Sequence, residues 1–151
     1  MQMQMSASGQ LVPVASPLIP TNSQIKQLEA EMLKYEQVPI GTAMLAHGRM
    51  CARTIFIPAG VSLTGALINH DNICIVSGDI TVTTDDGPKR LTGFHVIPAS
   101  AGKKRVGRTN ADTWWTCIWH TDLTDPTEIE NDMTDEAESL QTRRAITHLE
   151  N

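Results

Sequence analysis

The chain has 151 residues, a net charge of −5 and 40% apolar residues, which is the size and composition of one globular domain. No apolar run reaches the roughly 18 residues of a membrane-spanning helix, and the first ten residues lack the basic and apolar parts of a secretory signal. Cys51, Cys74 and Cys117 lie in apolar stretches without zinc-type spacing. We interpret them as small buried residues of a reducing compartment.

Charge is distributed unevenly along the chain. Residues 51–110 carry seven basic and four acidic side chains, whereas residues 111–151 carry two basic and ten acidic ones. Such an acidic end is typical of a solvated tail, or it docks on a basic patch of its own or a neighbouring subunit. The densest basic run, which is also a candidate interface, consists of Lys103, Lys104, Arg105 and Arg108.

The N-terminal part divides into two segments. Residues 1–20 contain three prolines and no charged side chain, which favours an extended or disordered arm that lies along a neighbouring subunit. Residues 21–37 then show a capping box, Thr21 and Gln24, followed by an apolar stripe at helical spacing. We interpret this amphipathic helix as a second contact with a partner. Its stripe consists of Ile25, Leu28, Met32 and Tyr35.

From residue 42 the hydrophobic period changes to two, and turn signals recur roughly every 8–12 residues, which is typical of an all-β sandwich or barrel. The sequence Asp85-Asp86-Gly87 predicts a hairpin. About eight short strands fit between residues 42 and 121. Residues 122–151 are predicted to form an acidic tail with a short helix around Thr134–His148.

Residues 49–121 resemble a cupin, a small double-stranded jelly-roll barrel, and in particular the cupin-like proteins of tailed bacteriophages. The resemblance lies in the Pro58-Ala59-Gly60 turn, the strand that begins Asp79-Ile-Thr-Val, the hairpin that follows it, and Gly93-Phe-His-Val-Ile-Pro98. It implies an all-β, cupin-like jelly-roll barrel.

A catalytic cupin holds a divalent metal through three histidines and one carboxylate. The resemblance places Ala66 and Ile68 at the paired histidine positions, and Gly65 and Leu67 after a shift of one residue. Asp71 falls at the carboxylate position, and a cation, Lys104 or Arg105, falls at the last histidine. The degenerate motifs therefore predict no metal and no cofactor.

The sequence contains no other recognisable catalytic constellation. The five histidines form no closely spaced pair, and no nucleophile elbow, phosphate loop or dinucleotide fingerprint occurs, so no catalytic residue is nominated. Nucleic-acid binding is unfavoured because the basic run is short and aromatic residues are few. Trp115 shares one strand face with Cys117 and Trp119, and we count it among the interface candidates because one of the two faces would meet a neighbour.

These observations predict a non-enzymatic structural protein of a phage virion, as a tail, collar or capsid-decorating component. It would be synthesised in the host cytoplasm, and its partners would be copies of itself and other virion proteins. Two alternatives remain. One is a metal-independent cupin enzyme of the sugar epimerase or isomerase type, and the other is a module that binds a sugar or another small ligand.

Overall fold

The structure is a computed structural model that describes residues 3–5, 11–13 and 20–144. Two short strands, β1 (Met3–Met5) and β2 (Leu11–Pro13), pair antiparallel with each other. The rest of the predicted arm lies outside the described residues, and its role stays a prediction.

Helix α1 (Asn22–Met32) begins where the capping box predicts. The Gln24 backbone N–H donates to Thr21 Oγ1 at 3.1 Å, and the Thr21 N–H donates back to Gln24 Oε1 at 2.9 Å, so two N–H groups that the helix leaves free are satisfied. The helix ends at Met32, and Tyr35 therefore lies beyond it. None of the described helices is long and apolar enough to span a membrane.

The remaining strands form one antiparallel sheet, and the all-β prediction is confirmed. The strand order is β3-β4-β8-β6-β7, and β5 pairs with β8. The sheet curves around a cavity in the manner of a jelly-roll barrel. Its strands are β3 (Gly41–His47), β4 (Met50–Ile57), β5 (Ser62–Thr64), β6 (Asn72–Thr84), β7 (Gly87–Ala99) and β8 (Val106–His120).

Strands β6 and β7 have 13 residues each and β8 has 15, so each unites two of the shorter strands expected from the sequence. Gly78, expected to mark a bend or bulge, lies inside β6, where the pairing with β8 shifts register between Ser77 and Asp79. Its φ of +147° and a Cβ position only 2.5 Å from Thr113 Oγ1 leave room for glycine alone. The long strands thus bend without ending.

The apolar core lies on the inner face of the sheet. One cluster lies along the middle strands, and a second joins Cys51 and Trp119 of the sheet to Ile129 and Met133. Alternation along the strands puts Cys74, Val76, Ile80 and Val82 inside. The core members of the first cluster are Ile57, Val61, Cys74, Val76, Ile80, Val82, Leu91, Ala99 and Trp115.

The C-terminal segment, residues 122–144 of the described chain, contains short helices, but their positions differ from the helix that the sequence predicts. Helix α2 (Pro126–Met133) is capped by Asp125, whose side chain accepts from the Glu128 N–H at 3.0 Å, and Thr134 ends it. A 3₁₀ turn (Ala137–Ser139) and a single helical turn, α3 (Gln141–Arg144), follow. The helix expected around Thr134–His148 was therefore placed wrongly. The longer helix starts at the Asp125-Pro126 signal and ends at Met133, and only the short α3 lies within the expected range. Residues 145–148 of that range lie outside the described residues.

Candidate functional site

A cavity of about 660 Å³ lies between the inner face of the sheet, helix α1 and the C-terminal segment. Its volume falls within the range of about 300–1,000 Å³ that is usual for small-molecule sites. The sheet supplies a mostly apolar wall. Ile57, Ile80, Val82 and Trp115 belong to this wall, whereas charged side chains, among them Arg53 and Arg105, also line the cavity.

Three polar or sulfur-bearing side chains lie side by side on the inner face. Arg53 of β4 is directly opposite Cys117 of β8, which is directly opposite Cys74 of β6. Directly opposed residues point to the same side of a sheet, and all three line the cavity. The two Sγ atoms are 3.8 Å apart, and both cysteines are free.

The electrostatics of this row follow from its neighbours. The hydrogen-bonding contact with Cys74 lowers the pKa of the Cys117 thiol, and the positive charges of Arg53 and Arg105 act in the same direction. The pKa of Cys74 is raised, first by its hydrogen bond to Cys117 and then by burial. Both guanidinium groups therefore act on the thiol that lies at the middle of the row.

Arg53 is anchored by a buried carboxylate of the C-terminal segment. Its Nη2 donates to Glu130 Oε2 at 3.1 Å, and the Glu130 side chain is 7% exposed. Thr142 donates to the same carboxylate at 2.7 Å and Arg143 Nε at 3.3 Å. Glu130 therefore joins the sheet to both ends of the C-terminal helical segment, and the acidic tail docks on its own subunit.

Lys104 forms a second link between distant parts of the chain. Its Nζ donates to Glu136 Oε1 at 2.8 Å and to the Gly65 carbonyl at 2.9 Å, and it lies 3.1 Å from Glu29 Oε2 of α1. The Lys104 side chain is 1% exposed. It holds α1 and the C-terminal segment together within one subunit, so we no longer propose it as an interface residue.

The other members of the basic run lie nearer to the surface. Lys103 Nζ is 3.5 Å from Asp85 Oδ1, and Arg108 Nη1 donates to Ser62 Oγ at 3.0 Å. Arg105 lines the cavity, and its Nη1 donates to the Thr83 carbonyl at 2.9 Å. Lys103 and Arg108 also line the cavity but are exposed, so an interface role for them stays a prediction, whereas Arg105 is half-buried in the cavity.

The predicted apolar stripe also divides between inside and outside. Ile25 is 1% exposed and packs within the chain, whereas Leu28 and Tyr35 are exposed and Met32 is half-buried at the cavity. Trp115 is 8% exposed and faces the cavity. We therefore withdraw Ile25 and Trp115 as interface candidates, while Leu28, Met32 and Tyr35 remain predictions.

One part of the outer face of the sheet is uncharged and largely apolar. The strand register sets three rows of side chains across five strands. Within them the Phe56 and Trp114 rings lie 4.7 Å apart, and the Thr54 and Thr116 hydroxyls 2.7 Å. None of the rows' side chains carries a charge: Gly41, Phe56, Trp114, Ser77 and Phe94; Ala43, Thr54, Thr116, Ile75 and Val96; Leu45, Ala52, Ile118, Ile73 and Pro98.

This outer face exposes more apolar surface than a solvated sheet normally does. Five large apolar side chains of these three rows are more than half exposed, namely Leu45, Ile73, Phe94, Val96 and Trp114. The alternation of the sequence predicts one partly apolar face against a neighbour, with Trp115 at that interface. The residue that meets solvent there is its neighbour Trp114.

The positions that correspond to cupin metal ligands lie close to the cavity. Ala66 and Ile68 line it. Asp71 lies just before β6, and its Oδ1 accepts a hydrogen bond from the Ala101 N–H at 2.8 Å. Within the described residues no three His, Cys, Asp or Glu side chains are grouped so that they could hold a metal ion. His70, a turn histidine, has its Nε2 2.8 Å from Asp132 Oδ2.

No protein-family model and no curated protein matches the sequence. Similar solved structures include a cupin superfamily protein from Desulfitobacterium hafniense DCB-2, 18% identical over 70% of this chain and 96% of that chain, with a TM-score of 0.46. KdgF from Halomonas sp. is 17% identical over 59% and 87%, with a TM-score of 0.47. A cupin domain from Bordetella pertussis Tohama I is 13% identical over 58% and 98%, with a TM-score of 0.45.

These likenesses lie under 25% identity and under a TM-score of 0.5, and no metal, substrate or activity is carried from them to this chain. The all-β assignment rests on the chain's own strands and their register. The names of the three proteins do not link the chain to bacteriophages.

Sequence reasoning missed the Arg53–Glu130 pair and the placement of Arg105 in the cavity. The signal for Arg53 was present: it is the one charged side chain in the otherwise uncharged stretch Met50–Ile57, a strand read as buried on both faces. A charge in such a strand requires a partner. The partner could not be named, because Glu130 lies 77 residues away along the chain.

Proposed function

We propose that this chain is a non-enzymatic structural subunit that associates with copies of itself through the outer face of its sheet. The observation that carries the proposal is the set of exposed apolar side chains on that face, which includes Phe94, Val96 and Trp114. Monomeric proteins rarely expose contiguous apolar patches of this kind, whereas protein–protein interfaces are built from them.

A second copy of the chain is the partner that best fits this face. The rows present small or apolar side chains without charge, so two such faces meet without burying an unpaired ion. Sheets pack face to face at about 10 Å with interdigitating side chains. A two-fold axis places the same patch on both partners, and this uncharged patch is compatible with itself.

We extend this proposal to a phage virion, where the chain would be a tail, collar or capsid-decorating component made in the host cytoplasm. The support is the sequence resemblance of residues 49–121 together with the uncharged, proline-containing segment 1–20. Other virion proteins would be its further partners. The cupin ligand positions, held by Ala66, Ile68 and a cation, support a non-enzymatic role.

Sedimentation velocity of the full chain tests the association. Wild-type protein is expected to sediment as an oligomer of the 16.5 kDa chain. Val96→Lys and Trp114→Lys place a charge at the centre of the outer face, where burial would be costly. Each variant is expected to sediment as a monomer with an unchanged β-type circular dichroism spectrum.

Gln27→Lys is the matched control, because Gln27 is exposed on α1 and is not one of the interface candidates. It should keep the wild-type oligomeric state. A wild-type monomer at every concentration, or oligomers that survive both Val96→Lys and Trp114→Lys, would refute self-association through this face.

The virion part is tested separately by mass spectrometry of purified particles from cells that express the gene in its native context. A stoichiometric amount of the chain in the particles is expected. Recovery of the protein in the soluble fraction alone would remove the virion assignment and leave self-association standing.

A further inference from the structure

Four arginines line the cavity beside its apolar wall. Of the four glutamates that also line it, Glu29 and Glu136 pair with Lys104, and Glu138 pairs with Arg143. Arg108 is exposed and donates to Ser62 Oγ, whereas the other three arginines are only partly exposed.

Arg53 comes from β4, Arg105 from the segment before β8, and Arg144 from α3. These arginines are not part of the outer face, so the proposed self-association does not involve them. A basic group in an apolar cavity is expensive unless something neutralises it.

The hydrogen bonding of these arginines is incomplete within the described part of the chain. Arg53 gives its Nη2 to Glu130, but its Nε is buried and has no partner there, and the same holds for Arg144 Nε. Arg105 donates to a backbone carbonyl and takes part in none of the ion pairs of residues 20–144. A buried donor without an acceptor is destabilising.

We propose that the cavity binds a small organic acid, whose carboxylate is held by Arg53 and Arg105 and whose apolar body lies against Trp115, Ile80 and Val82. A carboxylate fits because guanidinium groups donate in a planar fork that matches its two oxygens. An apolar body fits because aliphatic and indole groups form the wall. A fully hydrated inorganic anion would leave that wall in contact with water.

The thiol pair marks where the acid's head group lies. Arg53 is directly opposite Cys117 on the neighbouring strand, and Cys74 Sγ is 3.8 Å from Cys117 Sγ on the other side. Arg53, Arg105 and Cys117 all line the same cavity, and the charges of both arginines lower the pKa of Cys117. A carboxylate bound there would cover Cys117 and offset the positive potential that favours its thiolate.

Calorimetric titration of the full chain with octanoate, octanamide and inorganic phosphate tests the proposal. The acid and the amide share the apolar body and differ in charge, so octanoate is expected to bind at least about tenfold more tightly than octanamide. Inorganic phosphate is expected to compete only weakly. Octanoate should also slow the alkylation of Cys117 by iodoacetamide, whereas octanamide should not.

Arg105→Gln removes one guanidinium group, and we expect it to weaken octanoate binding at least about tenfold. Lys89→Gln is the matched control, because Lys89 is half-exposed, pairs with Asp86 and is not among the residues that line the cavity. It should change the affinity by no more than about twofold. Circular dichroism and the thermal midpoint report whether both variants are folded.

Several outcomes would overturn the proposal. Equal binding of octanoate and octanamide would show an apolar pocket without anion selectivity. Phosphate that competes as strongly as octanoate would show a simple anion site. If Arg105→Gln does not fold, the comparison of acid with amide and the protection of Cys117 on wild-type protein decide the matter alone. Neither result depends on the oligomeric state.

Discussion

Lys104 Nζ lies 2.8 Å from Glu136 Oε1, and this contact joins the segment before the last strand to the acidic C-terminal part. The same ammonium group is 3.1 Å from Glu29 Oε2 of α1. One buried side chain therefore holds three parts of the chain that are far apart in sequence. The basic run and the acidic end, which sequence analysis separated by charge, meet inside one subunit.

Lys104→Met is expected to destabilise the protein by about 3–5 kcal/mol, because it leaves two carboxylates near one another without their cation. The measurement is urea denaturation followed by circular dichroism at neutral pH. The methionine retains most of the aliphatic stem, so the loss reports the ammonium group rather than the packing.

Lys103→Met is the control for this substitution. Lys103 is exposed and lies 3.5 Å from Asp85, so its loss should cost at most about 1 kcal/mol. If the two variants unfold at the same urea concentration, the ion pairs of Lys104 do not hold the three segments together.

The stability of the protein is expected to fall in acid through Glu136. Burial alone would raise the pKa of this carboxyl, but hydrogen bonds from Lys104 Nζ and the Leu67 N–H hold it below its ordinary value of 4.5. A carboxyl whose pKa is lower in the folded state stabilises the fold above its unfolded pKa. That stability is lost as the pH falls below about 4.5.

Urea denaturation between pH 7 and pH 3 measures this effect. Wild-type protein should lose free energy of unfolding as the pH drops, and Glu136→Gln should lose less over the same interval while being less stable at pH 7. Parallel curves for the two proteins would mean that Glu136 does not contribute to the acid dependence.

Ile25→Ala is expected to destabilise the protein by about 2–4 kcal/mol, since a buried aliphatic side chain is replaced by a cavity. Leu28→Ala on the same helix should cost less than about 1 kcal/mol, because Leu28 is partly exposed. Thermal denaturation of both variants gives the comparison. Equal costs would contradict the docking of α1 through Ile25.

The predicted role of residues 1–20 as an assembly arm requires a deletion that spares α1. Removal of residues 1–37 would expose the site of Ile25 and break the Glu29–Lys104 pair, so a loss of assembly would not be separable from a loss of folding. Removal of residues 1–19 leaves α1 and its capping box in place. That shorter deletion should leave a folded protein with a wild-type thermal midpoint.

Gly78→Ala is expected to be strongly destabilising, because its Cβ would lie 2.5 Å from Thr113 Oγ1 and 2.6 Å from the Asp112 carbonyl oxygen. Gly93→Ala is the matched control: Gly93 is opposite Gly78 across β6 and β7, also has a positive φ, and has nothing within 4 Å of its Cβ position. It should cost about 1–2 kcal/mol from backbone strain alone. Gly78→Ala should cost about 1–3 kcal/mol more through the clash. Equal thermal midpoints for the two would show that the strands move apart freely at this point.

Local features of this fold could be predicted from the sequence. The capping box at Thr21 and Gln24 marks the start of α1, and alternation identifies the sheet because successive side chains point to opposite faces. The lengths of β6, β7 and β8 could not be predicted. A glycine at the end of a strand cannot be distinguished, from sequence alone, from a glycine at a bend within a strand. Alternation also does not show which of the two faces lies inside, so Trp115 rather than its neighbour was placed at the surface.

The sequence by itself determined the all-β class, the first helix and the unlike charges of the middle and end of the chain, because these depend on residues within a few positions of one another. Only the tertiary structure decided which charges meet. Arg53 and Glu130, like Lys104 and Glu29, are 77 and 75 residues apart, and their pairing depends on the register of the sheet and the path of the C-terminal segment. The same long-range packing put Arg53 and Arg105 into one cavity and left Trp114, Phe94 and Val96 on the outside.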